Sequence, residues 1–188
     1  MEILEKAKGF LSEPSNAFES SKYDRIEDAL KYYVIVSAIF SALLALMIAL
    51  MSSIAGPALS AYLNIPGAGL ADILSNFILF LIMMIVTLFI WSGVLHIFIY
   101  IMGEKKEFKA TIKAVMYAST PLALFGWLPL GWIWSWVLQI MGIKQYHDIT
   151  TGKAIATVVI PIMISFLIAI VLIAAIVSFV ASMVQSPG

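Results

Sequence analysis

Two side chains that could do chemistry, those of His96 and Tyr117, lie inside long apolar stretches of the sequence. They flank a short charged loop at equal distances from its centre, and His96 lies about 9 Å inside Met102 at ~1.5 Å per helical residue. The spacing therefore predicts that the two side chains face each other across an antiparallel helix pair. Together they would either form a hydrogen bond that fixes helix packing or, with Ser92 and Thr120, line a polar pocket open to the cytoplasm that receives a lipid headgroup or a partner group.

The motifs of common enzyme classes are missing from the sequence. Gly152-Lys153 lacks the upstream glycine of a phosphate-binding loop, and no His-Glu-x-x-His pair occurs. The chain contains no cysteine, which excludes thiol nucleophiles, disulfides and cysteine-ligated metals. His147 lies beside Asp148 in a polar stretch and is interpreted as a solvated residue. The sequence therefore predicts no catalytic residue, no cofactor and no metal site.

The composition is that of an integral membrane protein. The chain has 188 residues, of which 62% are hydrophobic and 12% charged, against roughly 25% charged residues in a soluble domain. The mean hydropathy is +1.03, and a soluble domain of this size could not hide so much apolar surface. The formal net charge is zero, so no bulk attraction to nucleic acid is expected. Carboxylates are scarce at membrane depth, where only Asp72 occurs, at the outer end of the second predicted span, and this scarcity argues against an ion-coupled transporter.

The elements that must position these residues are predicted to be membrane-spanning helices. About 20 apolar residues suffice to cross the hydrocarbon layer, and four apolar stretches reach that length. The third stretch contains a turn at Gly126–Gly131 and is interpreted as a hairpin of two short spans, with a re-entrant loop as the alternative. The sequence thus predicts an all-α, polytopic fold with five spans, at about 32–53, 73–102, 109–128, 130–146 and 154–184.

The basic residues predict the orientation of these spans. All 11 lysines and arginines fall in the N-terminal segment, in the connection between the second and third spans, or in the connection between the fourth and fifth. The positive-inside rule then places the N-terminus in the cytoplasm and the C-terminus outside. Trp127, Trp132 and Trp134 at the hairpin tip are typical of an outer interfacial belt. We expect a multi-pass protein of the cell (plasma) membrane.

Residues 1–31 form a predicted cytoplasmic, amphipathic segment ahead of the membrane domain at 32–188. Apolar side chains fall on one face of a short helix, at Ile3, Leu4, Ala7, Phe10 and Leu11. This face either packs on the rest of the protein or lies in the lipid headgroup plane. The spacing of Asp24 and Glu27 predicts a capping box at the start of the helix that becomes the first span.

Small residues recur every four positions along the first predicted span, at Ser37, Ser41, Ala45 and Ala49. Such a stripe allows another helix to approach closely. The partner helix belongs either to the same chain or to a second copy, so a homo-oligomer is one of the predicted assemblies.

Several short motifs resemble those of the Yip-domain family of membrane proteins. The segment Glu13-Pro14-Ser15-Asn16-Ala17-Phe18 resembles the Pro-x-x-x-Phe element that opens the Yip domain. Leu95-His96, the run Gly103–Phe108 and the run Tyr117–Leu122 resemble the region around its second and third spans. Trp136 and Gly142 also fit the pattern of this family.

The resemblance implies five spans and a role in binding partners. Eukaryotic members of the family are linked to prenylated Rab GTPases, to assembly with related proteins and to vesicle traffic. This sequence lacks their long N-terminal region and resembles the compact prokaryotic or archaeal members. The resemblance thus implies a lipid bilayer and a membrane protein or small GTPase-like protein as partners. The candidate partner- or lipid-binding residues are Pro14, Phe18, His96, Tyr117 and Pro121.

The function predicted from the sequence is that of a non-enzymatic membrane scaffold or partner-binding protein, acting in membrane organisation or trafficking. The alternative is a small permease or channel. A permease would need a polar lumen, and the predicted spans offer few polar side chains for one, chiefly Thr87, Ser92, His96, Ser119, Thr120, Ser135, Gln139 and Ser165.

Overall fold

The computed structural model describes residues 3–63, 66–104 and 106–185. Over these residues the chain forms eight helices: α1 (Ile3–Ser12), α2 (Pro14–Ser21), α3 (Ile26–Tyr62), α4 (Leu70–Ile101), α5 (Phe108–Ala118), α6 (Thr120–Phe125), α7 (Pro129–His147) and α8 (Thr151–Gln185). The all-α prediction is confirmed. The first two residues of the predicted N-terminal segment, Lys105 of the charged loop, residues 64 and 65, and the C-terminal residues 186–188 lie outside the described part.

Three helices in the described part are long and apolar enough to cross a membrane. They cover Ile26–Leu59, Leu70–Ile101 and Thr151–Ser182 and correspond to the first, second and fifth predicted spans. The third predicted span corresponds to α5 and α6 and the fourth to α7. At ~1.5 Å per residue these segments are about 27 Å and 28 Å long, slightly less than the ~30 Å hydrocarbon layer. The chain turns between Phe125 and Pro129, where the sequence predicts the hairpin tip.

The start of α3 differs from the sequence prediction. The helix begins at Ile26, after Arg25 in an extended conformation, and no side chain caps its first turn. The predicted capping box of Asp24 and Glu27 is therefore wrong. The physical reason is competition, because the Asp24 carboxylate accepts hydrogen bonds from Lys6 and Tyr117 instead.

Helix α3 also runs past the predicted end of the first span and contains a kink. Gly56 has φ 76° and ψ 164°, a conformation that favours glycine because it has no Cβ. Pro57 follows and lacks the N–H needed to continue the hydrogen-bond ladder. The two residues together account for the kink.

The helices form one bundle, and a small-residue face lies inside it. Helix α3 packs against α4, α5 and α6, α5 and α6 pack against α7, and α8 packs against α4 and α7. Ser37, Ser41, Ala45 and Ala49 are all buried. The predicted close-packing stripe therefore meets helices of the same chain. Beyond Ile162, by contrast, the described side chains of α8 are exposed.

Candidate functional site

Helices α1 and α2, hereafter the N-terminal cap, dock on one end of the bundle through five aromatic rings. Phe10 stacks on Tyr117 with ring centroids 4.8 Å apart, and its edge meets Phe18 at 4.9 Å. Phe18 in turn makes an edge contact with Tyr146 at 5.8 Å, while Tyr32 lies 5.4 Å from Tyr117. Phe10 and Phe18 are 0% exposed. This aromatic cluster joins the cap to α3, α5 and α7.

The sequence explains how Phe18 reaches this position. Pro14 occupies the first turn of α2, where its missing N–H costs no helical hydrogen bond. Phe18 follows about one turn later and points to the same side of the helix. A Cβ atom at position 142 would lie 2.7 Å from the Phe18 ring and 3.2 Å from Ala114. Gly142 therefore allows the ring to pack directly on α7.

A charged pair closes the cap over the aromatic cluster. The Asp24 carboxylate accepts hydrogen bonds from the Lys6 ammonium and from the Tyr117 hydroxyl. The ammonium of Lys113 donates to the backbone carbonyls of Lys22 at 2.8 Å and of Asp24 at 2.7 Å. Burial alone would raise the pKa of Asp24, but the two hydrogen bonds and the nearby lysines lower it below 3.8 overall. Asp24 is thus ionised and fully engaged at neutral pH.

A second set of contacts ties the end of α2 to the end of α7. The Tyr146 hydroxyl donates to Ser21 Oγ at 2.7 Å, because the single Ser21 proton goes to the Ala17 carbonyl. Asp148 accepts from Lys106 and, at 2.7 Å, from Lys22. These two hydrogen bonds lower the pKa of Asp148 to about 2.

The predicted contact between His96 and Tyr117 is wrong. His96 Nδ1 lies 2.8 Å from Thr111 Oγ1, whereas Tyr117 bonds to Asp24 and stacks on Phe10. Six residues of helix rotate a side chain by about 240°, so α5 presents Thr111 and Tyr117 on different faces. Thr111 is also six residues, or about 9 Å of helix, nearer the loop than Tyr117, so equal spacing in the sequence did not place His96 opposite Tyr117.

His147 is also not a solvated residue. Its side chain is 1% exposed, and its Nε2 lies 3.0 Å from Thr111 Oγ1. A threonine hydroxyl has one proton, so at least one of His96 and His147 donates to Thr111. His147 Nδ1 is buried without a partner among the described residues. Burial, with the neighbouring His96 and Lys106, lowers the pKa of His147 to about 4.

Pro121 shapes the middle of the aromatic cluster. Because it has no N–H, it leaves the carbonyl of Tyr117 without a helical donor, and α5 gives way to α6 at Ser119. The Thr120 hydroxyl donates to that carbonyl at 2.7 Å. Thr120 therefore accepts, also at 2.7 Å, from the hydroxyl of Tyr32. Pro121 thus frees a backbone carbonyl that the side chain of Thr120 binds.

A separate cavity of about 370 Å³ lies deeper, among α3 to α8. Its lining is mostly apolar, with a few polar side chains from α4, α7, α8 and the junction between α5 and α6. Most of these are already bonded within the bundle: Trp91 donates to Gln139 at 2.7 Å, and Ser135 donates to the Ala118 carbonyl at 2.6 Å. Ser119 and Ser165 each donate to a backbone carbonyl four residues earlier, at 2.8 Å.

Of the five candidate residues from the sequence, Pro14 and Phe18 lie in the cap and Tyr117 packs against it. Pro121 lies one turn after Tyr117 in α6, and His96 lies apart, beside Thr111. Sequence reasoning missed the roles of Asp24, Lys6, Lys113, Tyr32 and Tyr146. The only feature of the sequence that could have pointed to these residues is that ionisable and hydroxyl-bearing side chains adjoin the ends of apolar stretches. No local spacing rule could have shown which of them meet, because they are far apart in the sequence. No group of three or more histidine and acidic side chains in the described residues could hold a metal ion.

Comparison with known proteins agrees with this architecture. The family model of the Yip1 domain matches residues 8–184, which is nearly the whole chain. The comparisons with curated proteins and with solved structures give no significant match. The match includes most of the cap and all of the bundle helices α3 to α7. Together with the long apolar helices, it establishes a multi-pass integral membrane protein that belongs to the Yip1-domain family.

Proposed function

We propose that this protein is a non-enzymatic membrane scaffold that presents its N-terminal cap to a protein partner. The observation that carries the proposal is the two-sided character of the cap region. Its inner face is locked by Phe10 and Phe18, while Leu4 and Tyr23 are 78% and 84% exposed. Large apolar and aromatic side chains held in the open on a fixed support are typical of binding surfaces.

The bonding of the ionisable groups supports binding over catalysis. Asp24 is engaged by Lys6 and Tyr117, and Asp148 by two lysines. A general acid or base must be free to reach a substrate proton, whereas these groups hold the cap to the bundle. By family resemblance, the partner is a membrane protein or a small GTPase-like protein acting in membrane organisation or trafficking.

Photo-crosslinking in intact membranes tests this role. A photoreactive residue at Leu4 or at Tyr23 is expected to capture the same discrete protein, because both side chains are exposed in the cap region. The matched control is Lys144, an exposed residue of α7 outside the cap, which should not capture it. For a GTPase partner, the yield should differ between the GDP and GTP states. Capture of lipid alone at both positions would contradict the proposal.

We further propose five spans in the plasma membrane, with the N-terminus in the cytoplasm and the C-terminus outside. The basic residues support this orientation, and so do the exposed Trp127, Trp132 and Trp134 at the hairpin tip. The arms α5–α6 and α7 are short, so lysines at their ends must extend their stems toward the headgroups.

Single-cysteine labelling tests the span number, since the chain contains no cysteine. A cysteine at exposed Leu130, near the tip, is expected to react with a membrane-impermeant maleimide from outside. A cysteine at exposed Ser12 is expected to react only after permeabilisation. Protection of position 130 from outside, with reaction after permeabilisation, would mean that the hairpin re-enters and that only three spans cross.

A small permease is the second candidate, and the cavity among α3 to α8 is what favours it. Its polar lining residues Gln139 and Ser135 are bonded within the bundle, which leaves few groups to guide a polar solute.

A homo-oligomer is proposed only for the outer half of α8, whose exposed face would be covered by lipid or by a second copy.

A further inference from the structure

A basic cleft lies beside the N-terminal cap, where the end of α2, the start of α5 and the end of α7 meet. Its volume is about 450 Å³, and four lysines line it: Lys22, Lys106, Lys109 and Lys113. We propose that this basic cleft binds the phosphate group of an anionic membrane lipid.

The charge balance of the basic cleft leaves room for an anion. Glu107 is the one carboxylate in its lining, and Asp148 adds a second at its edge by bonding to Lys22 and Lys106. Asp24 also acts on Lys113 but is itself bonded to Lys6, and Glu19 acts on Lys22. Five ammonium groups against four carboxylates leave an excess of one positive charge. Lys109 is exposed and makes none of the ion pairs found among the described residues. Its ammonium is therefore available to a ligand.

The fixed lysines give the basic cleft a defined shape. Lys113 donates to two backbone carbonyls, at 2.8 and 2.7 Å, which holds its ammonium in place and leaves a third N–H. Asp148 holds Lys22 and Lys106 together in the same way, and each of them keeps further donors. A phosphate is well matched to several ammonium groups held at fixed positions.

The size and the place of the basic cleft favour a lipid over a protein surface. About 450 Å³ is the volume of a small-ligand site, and a folded protein would need a far larger contact area. Lys109 and Lys113 lie in the first two turns of α5, directly before an apolar stretch, so the cleft lies at headgroup level. In the orientation proposed above it faces the cytoplasmic leaflet, where anionic lipids concentrate.

The test uses the purified full chain in zwitterionic detergent at physiological ionic strength. Dihexanoyl phosphatidic acid, a short-chain lipid with a phosphate headgroup, is titrated and followed by calorimetry. Each lysine near an anionic surface contributes about 1 kcal/mol, so Lys109→Gln is expected to weaken binding about fivefold. Lys144→Gln is the matched control, because it removes one exposed lysine of the same end of the bundle from outside the basic cleft. It should leave the affinity unchanged.

Four outcomes would overturn the proposal: no binding, equal losses in the two variants, equal binding of dihexanoyl phosphatidylcholine, or equal binding of inorganic phosphate. The last would assign the basic cleft to a soluble phosphate compound instead of a lipid. Both faces of the solubilised protein are accessible, so the result does not depend on the orientation in the membrane. Tyr23 lines the basic cleft and Leu4 does not, so failure of this proposal is distinguishable from failure of the scaffold role through the crosslinking at Leu4.

Discussion

Replacing Phe10 by alanine is expected to detach the N-terminal cap from the bundle. The Phe10 side chain is 0% exposed and contacts the rings of Phe18, Tyr32 and Tyr117. Truncating a buried phenylalanine to alanine typically costs about 3–5 kcal/mol, which is comparable to what two short helices can gain by docking. The bundle should stay folded, because α3 to α8 pack against one another without the cap.

Limited trypsin digestion of the detergent-solubilised protein measures this effect. In Phe10→Ala, cleavage near Lys6 and Lys22 should accelerate strongly while the circular dichroism of the long helices persists. The matched control is Leu4→Ala on the same helix, whose side chain is 78% exposed. A surface truncation of this kind stays within about 0.5 kcal/mol, so its digestion should match that of the unmodified chain. Equal digestion of Phe10→Ala and the unmodified chain would show that the ring does not hold the cap.

The second large effect is a loss of stability in mild acid, caused by His147. Its pKa is about 4 in the folded protein and 6.5 in an unfolded chain. Between these values the unfolded chain binds a proton that the folded protein does not, so the free energy of unfolding falls as the pH drops from 6.5 to 4. At ~1.4 kcal/mol per pH unit the full loss reaches about 3 kcal/mol. Above pH 7 the contribution of His147 is constant.

Thermal unfolding between pH 7.5 and pH 3 measures this dependence, compared with His147→Gln. The glutamine amide can still reach Thr111, but it does not titrate. The variant should therefore lose the slope between pH 6.5 and 4 and keep the loss below pH 4, where the lowered pKa of Asp24 begins to matter. Parallel curves for the two proteins would rule out His147 as the origin.

Much of the fold follows from local sequence signals. Long apolar runs predict α3, α4 and α8, because an uninterrupted apolar helix must be covered by lipid. Gly126 and Pro129 predict the turn between α6 and α7. The helical spacing of apolar residues predicts which face of α1 carries Phe10. Leu4, assigned to the same face, is nevertheless exposed.

The connections between distant segments could not be predicted in this way. Asp24 and Glu27 have the spacing of a capping box, but Lys6 and Tyr117 bind the Asp24 carboxylate in the folded chain. His96 and Tyr117 are equidistant from the centre of the loop in the sequence, yet His96 lies beside Thr111, about 9 Å of helix nearer the loop than Tyr117. Counting residues does not fix which residues of two helices lie opposite each other, because tilt and rotation depend on packing against several neighbours at once.

The docking of the N-terminal cap on α7 is tested most directly by a thiol crosslink in native membranes. The Gln145 amide donates to the Ser15 carbonyl at 3.3 Å, and the chain has no cysteine of its own. A Ser15→Cys, Gln145→Cys double variant treated with a short bifunctional thiol reagent should yield an intramolecular link between α2 and α7, detected by mass spectrometry. The control pair is Ser15→Cys with Leu130→Cys, which lies at the other end of α7, about 22 Å from position 145 at ~1.5 Å per residue, and should stay unlinked. No link in the first pair, or equal linking in both, would contradict a docked cap and would instead favour a helix lying free in the headgroup plane.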